Sequence, residues 1–164
     1  MKALVLFYSY GGNTRNIAEL IRKSLDCDIA EIRTVTSYSN DYDTVADQGR
    51  REINDGYEPE IKPLEQDPAG YDTIILGMPV WWYTFAPAVK TILSSADWSG
   101  KAVYPFATNG GWIGHTFRDV EKACQGADVK QGINIRFNGQ RLVTSQAEIN
   151  KWIDQIKGGW QCHL

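Results

Sequence analysis

The chain has no apolar run approaching the roughly 20 residues that a membrane-spanning helix needs. It also lacks the charged start, apolar middle and small-residue cleavage site of a secretory leader, entering a strand-like segment at Leu4 instead. A cytoplasmic protein with no membrane partner is expected. Cysteine is scarce. Cys27, Cys124 and Cys162 lie far apart, with no C-x-x-C and no His/Cys spacing that would hold a metal. They read as reduced thiols, and His163 beside Cys162 reads as an untethered tail rather than half of a metal site. There is no basic cluster. With 17 Lys and Arg against 20 Asp and Glu, nothing replaces the counterions of a nucleic acid, so that class of partner is excluded. The net charge of −3 is also too slight to carry an argument from electrostatic steering. Repeats and low-complexity segments are missing, and 164 residues at 43% hydrophobic suit a single domain spanning 1–164.

What is present begins at the first residues. Leu4-Val5-Leu6-Phe7-Tyr8 has the length and composition of a buried strand. From Arg15 to Leu25, apolar residues recur at Ile17, Ala18, Leu20, Ile21 and Leu25, the spacing of one helical face. Between them lie Ser9, Tyr10, Gly11, Gly12, Asn13 and Thr14. Glycines let the backbone turn sharply and approach a ligand, and the free N–H groups of a helix start attract anions. There is no lysine in the turn and Arg15 is free to point to solvent, so this is neither a G-K-[S/T] loop nor a G-x-G-x-x-G fingerprint. It suits one phosphate held by neutral donors. The bland alternative is an ordinary strand-to-helix turn with Asn13 or Thr14 as N-cap.

Two later strand candidates raise the odds of a site. Residues 71–78 run into Pro79-Val80-Trp81-Trp82-Tyr83, and residues 101–107 run into Thr108-Asn109-Gly110-Gly111-Trp112. In an open parallel sheet, ligands bind outside the carboxyl ends of the strands. A flat aromatic ligand with a phosphate tail would use all three ends. The remaining segments alternate strand and helix: an edge strand at 28–34, helices at 86–96 and 116–124, a fifth strand within 128–137, and a last helix opened by Ser145 and Glu148 as a capping box. That alternation means a doubly wound α/β sheet. The connection 35–70 is far longer than usual, and Tyr42, Val45, Ala46, Gly49 and Ile53 form a helical stripe in it that Gly56 ends.

Ser9-x-Gly11-Gly12-x-Thr14 resembles the phosphate loop of the flavodoxins, with Gly11 where that family usually has a hydroxyl. Pro79-Val80-Trp81-Trp82 is similar to the first flavin-ring loop of the FMN-binding flavodoxin-like family, and Thr108-Asn109-Gly110-Gly111 to the second. Each motif is weak alone; three in the family's order after three strands are specific. The resemblance implies a three-layer sandwich around a five-stranded doubly wound parallel sheet. Flavodoxin is itself a known instance of the strand-end rule, with FMN at the switch point. It implies FMN as cofactor, bound by Ser9 to Arg15, Pro79 to Tyr83 and Thr108 to Trp112. It also implies electron transfer through the flavin to a redox partner protein or a small acceptor such as a quinone. An NAD(P)H-dependent quinone or nitro-compound reductase is the second reading, and a flavin-free binding module of the same fold the third.

Several residues carry two readings. Adjacent Trp81 and Trp82 point to opposite sides of an extended chain, so one is expected to pack inward while the other covers the flavin ring. Trp112, between glycine and Ile113, is expected at the ring or exposed, and Trp98 is read as an ordinary loop residue. His115 follows the second ring loop and is a conceivable proton donor, but a surface or capping role ranks first. Tyr42 is expected in the core rather than over the flavin. No residue is assigned a catalytic role. Electron-carrier flavodoxins commonly have a glycine in the first ring loop, whose peptide turns toward the one-electron-reduced flavin. Residues 80–86 contain none. Positive φ at a non-glycine residue costs on the order of 1 kcal/mol or more, which disfavours that turning and leaves room for two-electron chemistry.

Overall fold

The alternation of strands and helices resolves into one predominantly parallel sheet, in a computed structural model that describes residues 2–161. Five parallel strands lie in the order β2 (Asp28–Ile32), β1 (Ala3–Tyr8), β3 (Thr73–Trp81), β5 (Ala102–Asn109) and β7 (Ile133–Asn138). Three two-residue strands decorate it. β4 (Thr84–Phe85) folds back on β3, β6 (Asp128–Val129) pairs with β5, and β8 (Arg141–Leu142) forms a hairpin with β7. Two residues are too few to carry a periodic signal, so these three were not legible in the sequence. The edge position of β2 agrees with its alternating burial.

Side chains of the inner strands divide by parity between two cores. Leu4, Leu6 and Tyr8 of β1 and Ile74, Leu76 and Met78 of β3 face one core, which α3 (Pro87–Ser95) covers with Val89, Ile92 and Leu93 and α4 (Thr116–Ala123) with Val120. Val5, Phe7 and Ile75 face the other, which α1 (Asn13–Leu25) covers with Ile17, Ala18 and Ile21, and α5 (Gln146–Gln161) with Ile149, Trp152, Ile153 and Ile156. The remaining helix, α2 (Tyr42–Asp55), occupies the long connection and ends at Gly56 in the left-handed conformation. Ser145 starts α5 as expected, its hydroxyl accepting the Glu148 N–H at 3.2 Å.

The structure decides three readings. The N-cap of α1 is Gly12 at φ 96, without any side-chain cap, so neither Asn13 nor Thr14 caps the helix. Tyr42 is 78% exposed rather than core, because the stripe turns only Val45, Gly49 and Glu52 fully inward. Trp98 is buried, its indole donating to the Leu93 carbonyl at 3.0 Å. Cys162 and His163 lie outside the described residues. Burial pushes the Cys27 thiol up to about 11 and the Cys124 thiol to about 12.

The unfolded chain thus loses these thiol protons first, and their contribution to stability should fade as the pH climbs above the ordinary thiol range. A urea midpoint that stayed level across that alkaline range would contradict their burial. Packing gives a sharper expectation. Gly77 faces Phe106 across β3 and β5, and an added Cβ would come within 2.6 Å of three of its ring carbons, the nearest at 2.1 Å. Gly77→Ala should lower stability by about 1–3 kcal/mol, read from the urea midpoint.

Candidate functional site

The strand order reverses at β1: β2 lies on one side of it, and β3, β5 and β7 on the other. Such a switch point leaves a crevice at the carboxyl ends. Around it stand the turn after β1, the β3–β4 turn and the loop after β5.

In the first turn Gly11 and Gly12 have φ 81 and 96, conformations that glycine reaches without the steric penalty of a side chain. A Cβ at either would meet nothing within 4 Å, so the space before the turn is open. The Asn16 N–H goes to the Gly12 carbonyl at 3.0 Å and the Arg15 N–H to Ser9 Oγ at 3.2 Å. The earlier N–H groups of the helix start remain to face this space. The side chains are engaged elsewhere. Asn13 Nδ2 donates to the Gly139 carbonyl at 2.9 Å. Thr14 and Thr108, both buried, share a hydrogen bond between their hydroxyls at 2.8 Å, tying the first turn to the end of β5. Arg15 does not point simply to solvent; its guanidinium pairs with Glu31. The donors this turn leaves free therefore lie mainly in its backbone.

The aromatic side is a cavity of about 400 Å³. Its walls come from Tyr10; from Val80, Trp81, Trp82 and Tyr83; and from Asn109, Gly110 and Trp112. A fourth wall is α2, through Tyr42, Val45 and Ala46. Trp81 is the inward tryptophan, its ring edge-packed against Tyr8, Tyr10 and Tyr38 at centroid distances of 6.0, 5.8 and 5.1 Å. Gly49 lets α2 close on it, since a Cβ there would sit 3.1 Å from the indole. Trp82 is the outward one, held by its indole N–H on the Ala46 carbonyl at 2.8 Å and by the Arg50 guanidinium over its ring. Tyr83 and Trp112 meet across two loops, centroids 4.9 Å apart. Pro79 is not at the cavity; it lies in the sheet opposite Thr108. Gly111 closes its own turn through an N–H to Asn109 Oδ1 at 3.0 Å.

The β3–β4 turn departs from what its composition implies. Trp82 and Tyr83 form a two-residue hairpin loop with φ 48 and 71, the positive pair of a type I′ turn. The strain of about 1–2 kcal/mol per residue is thus already present in the resting turn. It is offset by the Trp82–Ala46 bond and by the His115 N–H, which donates to the Tyr83 carbonyl at 2.8 Å. His115 serves as this backbone clamp and starts α4; its half-exposed ring pairs with Asp119, away from the aromatic cavity. Asp119 also accepts from the Thr84 hydroxyl at 2.6 Å, fixing the far end of the hairpin.

A family model described as Flavodoxin matches residues 2–156. The chain belongs to the flavodoxin family. Flavodoxin 1 of Salmonella typhimurium is 28% identical over 110 residues, which are 62% of this chain and 46% of that protein. The match therefore spans about half the length of the curated relatives. A flavoprotein from Lactobacillus acidophilus, solved in complex with FMN, is 27% identical, covers 92% of this chain and 97% of its own, and superposes with a TM-score of 0.73. The apo-form of the Lactobacillus flavoprotein superposes with a TM-score of 0.65 at 25% identity. Within the flavodoxin frame, α2 contributes what sequence reasoning did not foresee: Tyr42, Val45 and Ala46 line the aromatic cavity, and Gly49 packs against Trp81. The small residues Ala46 and Gly49, one helical turn apart, were the available signal.

The hydroxyl pair can be tested by a double-mutant cycle. Thr14→Val or Thr108→Val alone leaves one buried hydroxyl without its partner and should cost about 1–3 kcal/mol. The double substitution should cost clearly less than the sum of the two, measured by denaturant unfolding.

Proposed function

We propose that this chain binds FMN at the three strand ends and transfers electrons through it to a partner protein or a small acceptor such as a quinone. The observation that carries the reading is a juxtaposition: an open glycine turn at a helix start, without lysine, beside an aromatic cavity of about 400 Å³. The cavity lies in the size range of small-ligand and cofactor sites. The residues fit the group. Backbone N–H groups near Gly12, Asn13 and Thr14 would hold the phosphate, with the helix dipole favouring its charge. Trp82, Tyr83 and Trp112 would flank the ring, and Trp81 would support it from beneath. FMN, when bound, accepts and returns electrons singly or in pairs. The protein's own part is to hold the ring against aromatic faces and to present its edge at an open rim, where Trp82, Tyr83 and Trp112 are exposed.

A second feature favours two-electron exchange, and with it the NAD(P)H-dependent reductase reading. The Tyr83 carbonyl is clamped by the His115 N–H, and the Trp82 indole is held on the Ala46 carbonyl. Such a turn resists reorientation when the charge of the ring changes.

FMN added to the apoprotein should bind in a 1:1 ratio with strong quenching of flavin fluorescence. A colourless protein that leaves flavin bright would support the flavin-free module instead. Gly12→Ala should weaken FMN binding about fivefold or more, because alanine at φ 96 carries a penalty of about 1–2 kcal/mol. In anaerobic titration with dithionite, reduction should proceed in a single optical phase. Two resolved phases would assign one-electron carrier chemistry.

A further inference from the structure

Beside the glycine turn, on its β2 side, lies a second and larger depression of about 550 Å³. It begins at Ser9, Tyr10 and Gly11 and runs out over the end of β2 to Lys62. Tyr10 lines both this groove and the aromatic cavity, so the two adjoin at its side chain. The groove is cationic in a chain that is acidic overall. Arg15, Arg33 and Lys62 line it, against the single carboxylate of Glu31. That carboxylate is shared: Arg15 takes one oxygen, and Arg33 takes the other with Nε at 3.0 Å and a terminal nitrogen at 2.8 Å. Each guanidinium has five N–H donors. Both therefore keep donors free, and both side chains are about half exposed, at 49% and 59%. Two arginines on one carboxylate hold each other in place, a preorganised fork for an anion.

We propose that this groove binds the phosphate of an adenosine phosphate, beside the flavin phosphate and not in its place. The proposal rests on the FMN reading above for what occupies the neighbouring turn. The volume favours a nucleoside over a bare ion, since inorganic phosphate would leave most of the groove unfilled. Tyr10 and Tyr38 supply aromatic surface for a base, and Ser37 and Asn40 supply polar partners for a ribose or base edge. Two sources share this chemistry: the adenylate half of FAD, continuing from the flavin's own phosphate, and the adenylate of a separate dinucleotide that reaches the ring past Tyr10.

Calorimetric titration of ADP into the FMN-loaded protein at low salt tests it. ADP should bind without releasing flavin, and binding should weaken as salt is added. Arg33→Gln combined with Lys62→Gln removes two exposed cations outside the glycine turn. It should weaken ADP at least about tenfold, the size expected for losing charged hydrogen bonds, and leave FMN affinity unchanged. A thermal transition like that of the unmodified protein certifies the fold of the variant, and Arg33→Gln alone serves if the pair fails to fold. Absence of ADP binding, equal binding by the variant, or release of flavin by ADP would each overturn the proposal. The same titration into flavin-free protein keeps the groove readable if FMN itself does not bind, so the two proposals fail separately. FAD binding more tightly than FMN, with the advantage lost in the variant, assigns the groove to the flavin's own adenylate. Equal FAD and FMN affinities with ADP binding retained assign it to a separate dinucleotide.

Discussion

Helix α1 leaves β1 toward one face of the sheet, and α3 leaves β3 toward the other. Between the carboxyl ends of these two neighbouring strands no helix can close the gap, because each crossover must run right-handed over its own face. The aromatic cavity and the glycine turn both border that opening. The glycine turn is the exit from β1, the strained hairpin the exit from β3, and the Asn109–Trp112 loop the exit from β5. The buried Thr14–Thr108 hydroxyl pair spans from the first exit to the third. The glycine turn and the loop after β5 are therefore coupled mechanically.

The β3–β4 hairpin shows how local preference yields to context. Two bulky aromatic residues with positive φ cost about 2–4 kcal/mol together. No single contact offsets this. The Trp82–Ala46 and His115–Tyr83 hydrogen bonds contribute about 1 kcal/mol each, and Arg50 over the Trp82 ring and the Tyr83–Trp112 contact contribute fractions more. All of these partners come from α2 or from the β5–α4 segment, remote in sequence. Gly114 is part of the same arrangement, since any Cβ there would collide with Tyr83. Strained turns persist where the surroundings over-determine them, and such places cluster at binding sites.

Charge is distributed as unevenly as strain. The turn suited to a phosphate contains no lysine, yet Arg15, Arg33 and Lys62 gather on its β2 side. Arg15 belongs to both neighbourhoods: its backbone N–H ties the turn to Ser9, and its guanidinium faces Glu31. An anion at the turn would thus feel the helix start directly and the cations only at a distance, partly screened by Glu31.

The sheet, its five parallel strands, the order of helices and the three strand-end loops were legible in the residues. Hydrophobic periods of 2 and 3.6 report burial directly, and glycine reports a turn. Ile17, Ala18, Ile21 and Leu25 lie inward as their spacing requires, and Gly56 ends α2. The family, too, was readable, because its motifs fall on those same loops. What the sequence could not carry is any quantity that depends on two distant segments meeting. Tyr42 belongs to a helical stripe, yet it stands exposed at the cavity rim, since α2 docks through Val45, Gly49 and Glu52. Asn13 and Thr14 look like ligands or caps, yet their side chains bond Gly139 and Thr108, more than ninety residues away. Trp82 and Tyr83 prefer negative φ, yet α2 and the β5–α4 segment impose the opposite. Local pattern determines which residues are buried and where the chain turns. Only tertiary packing decides which hydrogen-bonding groups remain free, because the partners that consume them come from elsewhere in the chain.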